Sequence, residues 1–132
     1  MESYISDSKG FKISVKTEFD FEKSNPLRFY YVFQYHITIE NVSATTAQLL
    51  SRKWFISNAN GKEDVVEGPG VIGKRPVLSK GQSFSYSSFC PLSTMTGKMH
   101  GKFFMKSAGD GDTFDIETPE FFFSIPEEYT TL

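Results

Sequence analysis

Cysteine occurs once in this 132-residue chain, at Cys90, so no intrachain disulfide can staple it. Leucine (6) and alanine (4) contribute ten residues between them. That scarcity of two good helix formers argues against a helical fold. Long apolar stretches are missing as well. The longest covers residues 29–33, far short of the ~20 needed to span a membrane as a helix. The first dozen residues lack the apolar core of a secretory leader, which together with the lone cysteine favours the cytoplasm. Histidine is limited to His36 and His100, with no Cys-Cys or His-x-x-x-His pair, so metal-ligand spacing is absent and no cofactor is expected. None of the sixteen serines lies in a G-x-S-x-G nucleophile elbow, and Cys90 has no base beside it in sequence.

What is abundant is β-favouring. Valine (7), isoleucine (8), threonine (10), phenylalanine (14) and tyrosine (6) make up 45 residues. The length suits one domain, residues 1–132, with an ordered core over about residues 10–126 and loose tails at 1–9 and 127–132. Period-two alternation recurs along the chain. Phe11, Ile13 and Val15 share one face; Phe29, Tyr31, Phe33, Tyr35, Ile37 and Ile39 share another. Residues 48–57, 63–67, 82–89, 98–106, 113–117 and 120–125 read as further strands, with Asn60-Gly61 marking a hairpin between the first two. Core matching pairs Met105 with Phe114 and Phe103 with Ile116, which sets Lys102 opposite Glu117. Trp54 is expected as a core anchor, with Arg52 and Lys53 pointing outward. Phe104 and Phe122 fall out of phase with the inward runs. The pattern predicts an all-β, immunoglobulin or fibronectin type III-like antiparallel sandwich of seven or eight strands without substantial helix.

Charge is balanced overall, at −2, but segregated. Residues 68–106 carry Lys74, Arg75, Lys80, Lys98, Lys102 and Lys106 and no acid; residues 107–132 carry seven acids and no base. Cross-strand pairing accounts for this, or else a basic patch serves an anionic partner. Six bases without a net excess are too thin a footprint for nucleic acid. Gly68-Pro69-Gly70-Val71-Ile72-Gly73 fits G-x-G-x-x-G, but Pro76 and the absence of a βαβ context exclude a dinucleotide fold. The glycines either let a loop cross between sheets with Val71 and Ile72 in the core, or present backbone N–H groups to an anion beside Lys74 and Arg75. Asp110, Asp112 and Asp115 lack the remaining ligands of a calcium loop and read as a solvated turn.

Several spaced motifs, in order, resemble the ApaG family. They are Tyr31-Val-Phe-Gln-Tyr-His-Ile-Thr-Ile-Glu-Asn41, Gln48-Leu-Leu-Ser-Arg-Lys-Trp54, the Gly68-x-Gly70-Val71-x-Gly73-x-x-Pro76-x-Leu78 stretch, Phe84-x-Tyr86-x-Ser88, and Gly97-x-Met99-x-Gly101. The likeness runs from Phe11 to Pro126. It implies a fibronectin type III-like sandwich, a link to cobalt resistance and magnesium efflux, and a protein-binding role. A phosphate or pyrophosphate-type anion is implied at Gly68, Gly70 and Gly73, beside Lys74 and Arg75. The chain departs from the family pattern at Pro69, Lys53 and Phe103, where an acid, a histidine and a tyrosine are usual. The expected function is a non-catalytic binding module, with Arg52, Lys53, Lys98, His100 and Lys102 offered to an unknown protein partner. The alternative is an enzyme or sensor for phosphorylated nucleotides or pyrophosphate. Pairing of two copies through an edge strand is a further architectural expectation.

Overall fold

The structure, a computed structural model, describes residues 2–130. Ten strands follow one another: β1 (Glu2–Ser8), β2 (Phe11–Phe19), β3 (Tyr31–Asn41), β4 (Ala47–Asn58), β5 (Glu63–Pro69), β6 (Val77–Leu78), β7 (Ser83–Leu92), β8 (Thr96–Ser107), β9 (Thr113–Glu117) and β10 (Phe121–Ser124). Among the described residues, helix is limited to two three-residue 3-10 turns, Pro26–Arg28 and Glu127–Tyr129. The strands form two antiparallel sheets. One has the order β1-β2-β3-β7; the other has β10-β8-β4-β5, with β6 pairing β4 and β9 pairing β8. The chain is therefore an all-β two-sheet sandwich, as its alternation requires.

The inward residues are those that the period-two pattern selects. On β2 and β3, Phe11, Ile13, Val15, Phe33, Tyr35, Ile37 and Ile39 are buried while Lys12, Ser14, Gln34, His36 and Thr38 are not. The β8–β9 register pairs Met105 with Phe114, Phe103 with Ile116 and Lys102 with Glu117, as core matching predicted. Trp54 anchors the core at 2% exposure. Its ring meets Tyr35, Phe103 and Phe121 edge-on, with centroids 5.7–5.8 Å away, the arrangement that the ring quadrupole favours. Room for it comes from Gly101, its cross-strand partner on β8. A Cβ at Gly101 would overlap the Lys53 carbonyl oxygen and stand 2.5 Å from Trp54 Cε3.

The strand count and the tails depart from the sequence reading. The segment expected to be a loose N-terminal tail contains β1, paired along its whole length with β2. It alternates Tyr4 towards the core with polar neighbours, but too few apolar residues mark it as a strand in isolation. β6 is only two residues long, below what periodicity can reveal. At the other end, Tyr129 stacks on Phe21 with centroids 4.8 Å apart. Met1, Thr131 and Leu132, also expected to be loose, lie outside the described residues. Phe29 continues the inward phase of the alternation but is exposed, at φ 55°, capping the 3-10 turn that Pro26 begins. β3 starts only at Tyr31, where its ladder to Leu92 of β7 begins. Of the two residues that a core-crossing loop would bury, Val71 is fully buried but Ile72 is 56% exposed.

The two long sides of the sandwich differ. On the β1/β10 side the sheets are stitched together. The Thr17 hydroxyl donates to the Phe122 carbonyl (3.1 Å), the Ser6 hydroxyl donates to the Glu117 carbonyl (3.0 Å), and the Glu117 N–H donates to Ser8 Oγ (3.0 Å). Asp115 bridges Lys9 (2.9 Å) and Lys102 (3.1 Å). Asn41, fully buried, ties β3 to the segments either side of it. Its amide donates to the Thr45 and Leu78 carbonyls, and its Oδ1 accepts from the Ser43 N–H and hydroxyl. On the opposite side β7 and β5 are both sheet edges.

Gly101→Ala should destabilise the fold by about 1–3 kcal/mol through overpacking against Trp54, whereas Gly109→Ala, with open space around it, should leave the urea midpoint nearly unchanged. Hydrogen bonds from Lys9 and then Lys102 hold the Asp115 carboxyl down at about 2. A depressed folded-state value contributes stability above the ordinary aspartate value near ~3.9, and that contribution is lost as pH falls through about 2. Asp115→Asn should therefore flatten the part of the stability–pH curve between about 4 and about 2, measured as urea midpoints at successive pH values.

Candidate functional site

The glycine-rich segment is a tight two-residue turn closing the end of β5. The Val71 N–H donates to the Lys74 carbonyl and the Lys74 N–H to the Val71 carbonyl, both at 2.8 Å. The two tip residues, Ile72 (φ 44°) and Gly73 (φ 77°), are left-handed. Each glycine of the motif has a local reason to be there. At Gly70, φ is positive and a Cβ would overlap the Lys74 carbonyl oxygen. At Gly68 a Cβ would crowd the Arg52 guanidinium, 2.9 Å from Nη1. At Gly73 space is open and the left-handed backbone is the constraint. The Gly70 N–H is committed to the Leu50 carbonyl (2.8 Å). The N–H groups of Ile72 and Gly73 have no acceptor among the described residues, and Lys74 and Arg75 beside them are exposed.

The other five candidate residues divide between two faces. Lys53, Lys98, His100 and Lys102 lie on the outer surface of the β10-β8-β4-β5 sheet, where Lys53 is opposite Lys102 and Phe55 opposite His100. Their charges are compensated: Lys53 by Glu67 (3.0 Å), Lys98 by Glu120 (3.7 Å), and Lys102 by Asp115 and Glu117. The His100 ring stacks on Phe55, with centroids 5.0 Å apart. Cross-strand pairing thus explains much of the charge segregation. Among the described residues Lys74 and Arg75 have no carboxylate within 4 Å.

Arg52 does not point outward as expected. It shares the phase of Trp54 and lines the space between the sheets. Its Nη1 donates to the carbonyls of Pro69 (3.1 Å) and Gly70 (2.9 Å), which fastens the glycine turn from beneath. The space is a cleft of about 500 Å³ between the β5 and β7 edges, lined also by Tyr35, Trp54, Asp64, Ile72, Tyr86 and Cys90. Trp54 Nε1 and the Tyr86 hydroxyl are both buried without a hydrogen-bond partner among the described residues. Leaving a buried polar group unpaired costs about 1–3 kcal/mol. Burial raises the Tyr86 phenol well above its usual range and pushes the Cys90 thiol up to about 12, with the Asp64 charge adding to the thiol's shift. Cys90 is thus a packed thiol rather than a nucleophile.

Sequence reading missed this cleft, because Tyr86 comes from β7, on the opposite sheet from Arg52 and Asp64. Only the i, i+2 spacing of Arg52 and Trp54 could have placed Arg52 inside. It also missed a chain on the opposite sheet, where His36 Nδ1 lies 2.6 Å from Ser87 Oγ and Nε2 lies 3.0 Å from Glu18. Those side chains sit on the exposed outer face of the β2-β3-β7 ladder. The two histidines are on different sheets and do not meet. Among the described residues no group of three or more His, Cys, Asp or Glu converges as a metal site, and no helix is long and apolar enough to cross a membrane.

A ten-stranded antiparallel sandwich with a glycine turn clamped by an arginine defines a class of small all-β domains. Comparison with known proteins gives the family. The ApaG domain matches residues 21–107. The chain is 43% identical over 129 residues to Protein ApaG of Brucella anthropi, covering 98% of each, and 44% identical over 116 residues to Protein ApaG of Bdellovibrio bacteriovorus, covering 88% of this chain and 91% of that one. The crystal structure of an ApaA protein from Bordetella pertussis superposes with a TM-score of 0.85 at 32% identity, over 94% of this chain and 99% of the other. The chain belongs to the ApaG family.

Proposed function

We propose that this protein is a non-catalytic binding module acting in divalent-cation homeostasis through a protein partner, with an anion-recognising contact at residues 68–75. One observation carries the reading. Lys74 and Arg75 are uncompensated cations next to two adjacent backbone N–H groups, at Ile72 and Gly73, that have no intramolecular acceptor among the described residues. The other basic candidates, Lys53, Lys98 and Lys102, already face carboxylates. Adjacent N–H groups in a turn suit a phosphate-type oxyanion. The turn is rigid before any ligand arrives, since Val71 is buried beneath it and Arg52 holds two of its carbonyls. Pre-organisation lowers the entropic cost of binding. The cobalt and magnesium link comes from the family resemblance, and the anion contact would be where a phosphorylated or acidic partner docks.

Two measurements test it. Titration with pyrophosphate should move the backbone amide signals of Ile72, Gly73, Lys74 and Arg75 saturably, and Lys74→Ala/Arg75→Ala should weaken binding about tenfold, the size expected for lost charge-assisted contacts. In a bacterium lacking its own ApaG, the wild-type chain should restore cobalt tolerance and the same double variant should not. Amide signals that stay fixed at millimolar pyrophosphate sink the anion contact; full complementation by the folded double variant sinks its role in cation homeostasis.

A further inference from the structure

We infer that the inter-sheet cleft between β5 and β7 is a binding site for a small planar apolar molecule bearing a carbonyl or carboxylate oxygen. The site is distinct from the contact proposed at the glycine turn and rests on different atoms.

Three observations meet here. The first is shape and lining. A space of about 500 Å³ is within the size range of small-molecule pockets. Its walls include Tyr35, Trp54, Ile56, Val66, Leu92 and Met99, which suit a flat apolar body.

The second is chemistry. Trp54 (2% exposed) and Tyr86 (7% exposed) both line the cleft, and both carry a polar atom with no partner among the described residues. Indole Nε1–H can only donate. The Tyr86 phenol stays protonated, because burial raises its pKa, so it too is available as a donor. The Arg52 guanidinium, held on the Pro69 and Gly70 carbonyls, adds positive charge to the lining, and Asp64 of the neighbouring strand lines the cleft as well. Two unpaired donors and a fixed cation call for an acceptor oxygen. Filling the cleft with an apolar body alone would leave both donors unmet.

The third is the construction of the opening. Side-chain hydrogen bonds close the β1/β10 side of the sandwich, whereas the β7/β5 side ends in two unpaired edges. At the mouth stands Ile72, a β-branched residue at φ 44°. That conformation is costly for such a side chain, and costs of this kind gather at binding sites. Nothing in the turn itself demands isoleucine there, since its side chain is largely exposed.

The test is an amide and indole NMR titration of the whole 15N-labelled protein with benzamide, benzoate, toluene and acetate. Trp54 is the single tryptophan, so its indole N–H gives one signal. Benzamide, benzoate or both should shift that signal saturably at up to ~5 mM, a modest affinity for so small a probe. Toluene (no acceptor) and acetate (no planar body) should leave it in place. A stronger response to benzoate assigns an anionic ligand paired with Arg52; an equal or weaker one assigns a neutral carbonyl. Tyr86→Phe, which removes no intramolecular hydrogen bond and should keep the fold, should weaken the better probe about tenfold. The inference is overturned if neither aromatic probe shifts the indole, if toluene or acetate shifts it as far, or if folded Tyr86→Phe binds undiminished. The wild-type arms decide the question even if that variant misfolds. Pyrophosphate is read on the turn amides and these probes on the Trp54 indole, so failure of either site leaves the other standing.

Discussion

The two sheets can close on Trp54 only because the residue opposite it has no side chain. Gly101 leaves the volume that the indole occupies, and its backbone is fixed from the far side by Thr118, whose hydroxyl accepts the Gly101 N–H at 2.9 Å. Tyr35 from one sheet and Phe103 and Phe121 from the other then surround the ring edge-on. Interiors are packed as tightly as organic crystals, so an aromatic cluster of this size fixes the spacing of the sheets wherever it sits. Both proposed sites hang from that spacing. Arg52 lies two residues from Trp54 on the same face of β4 and is thereby delivered between the sheets, where it reaches the carbonyls of the glycine turn.

Arg52 consequently belongs to two structures at once. Its Nη1 satisfies carbonyls of Pro69 and Gly70 and keeps the turn above Val71 in one shape. Its charge also faces the cleft that contains Trp54 and Tyr86. A single side chain thus supports the exposed cationic tip at Lys74 and Arg75 and forms part of the wall of the inter-sheet cleft. The outer sheet surface is different in kind. Lys53, Lys98 and Lys102 are held by carboxylates of neighbouring strands, and surface ion pairs of that sort contribute little individually.

Much of the architecture was legible because it depends on the relation between one strand and the next. Alternation over β2 and β3 separated inward from outward residues, and matching Met105 with Phe114 located the β8–β9 register. The ApaG motifs were legible for a similar reason, being short spaced patterns. The failures have a common cause. β1 is mostly polar and becomes a strand through its pairing with β2, not through its own propensity. Phe29 follows the alternation of β3 but is turned out by the Pro26 turn before it. Ile72 looked like a core plug beside Val71, yet a two-residue turn sends its neighbouring tip positions outward.

By itself the sequence determined the class of fold, the β8–β9 register, the core role of Trp54 and the family, because each of these follows from residue spacing along one strand or a pair of adjacent strands. The tertiary structure decided which carboxylates hold Lys53 and Lys98, that Arg52 reaches the carbonyls of the glycine turn, and that one side of the sandwich is stitched while the other is open. It also decided that Trp54 and Tyr86, each with a buried donor that has no partner among the described residues, line a common cleft. The stitching and the shared cleft are meetings between positions tens of residues apart, on different sheets. Period two states only which face a side chain occupies; what stands across from that face depends on how the two sheets are laid against each other.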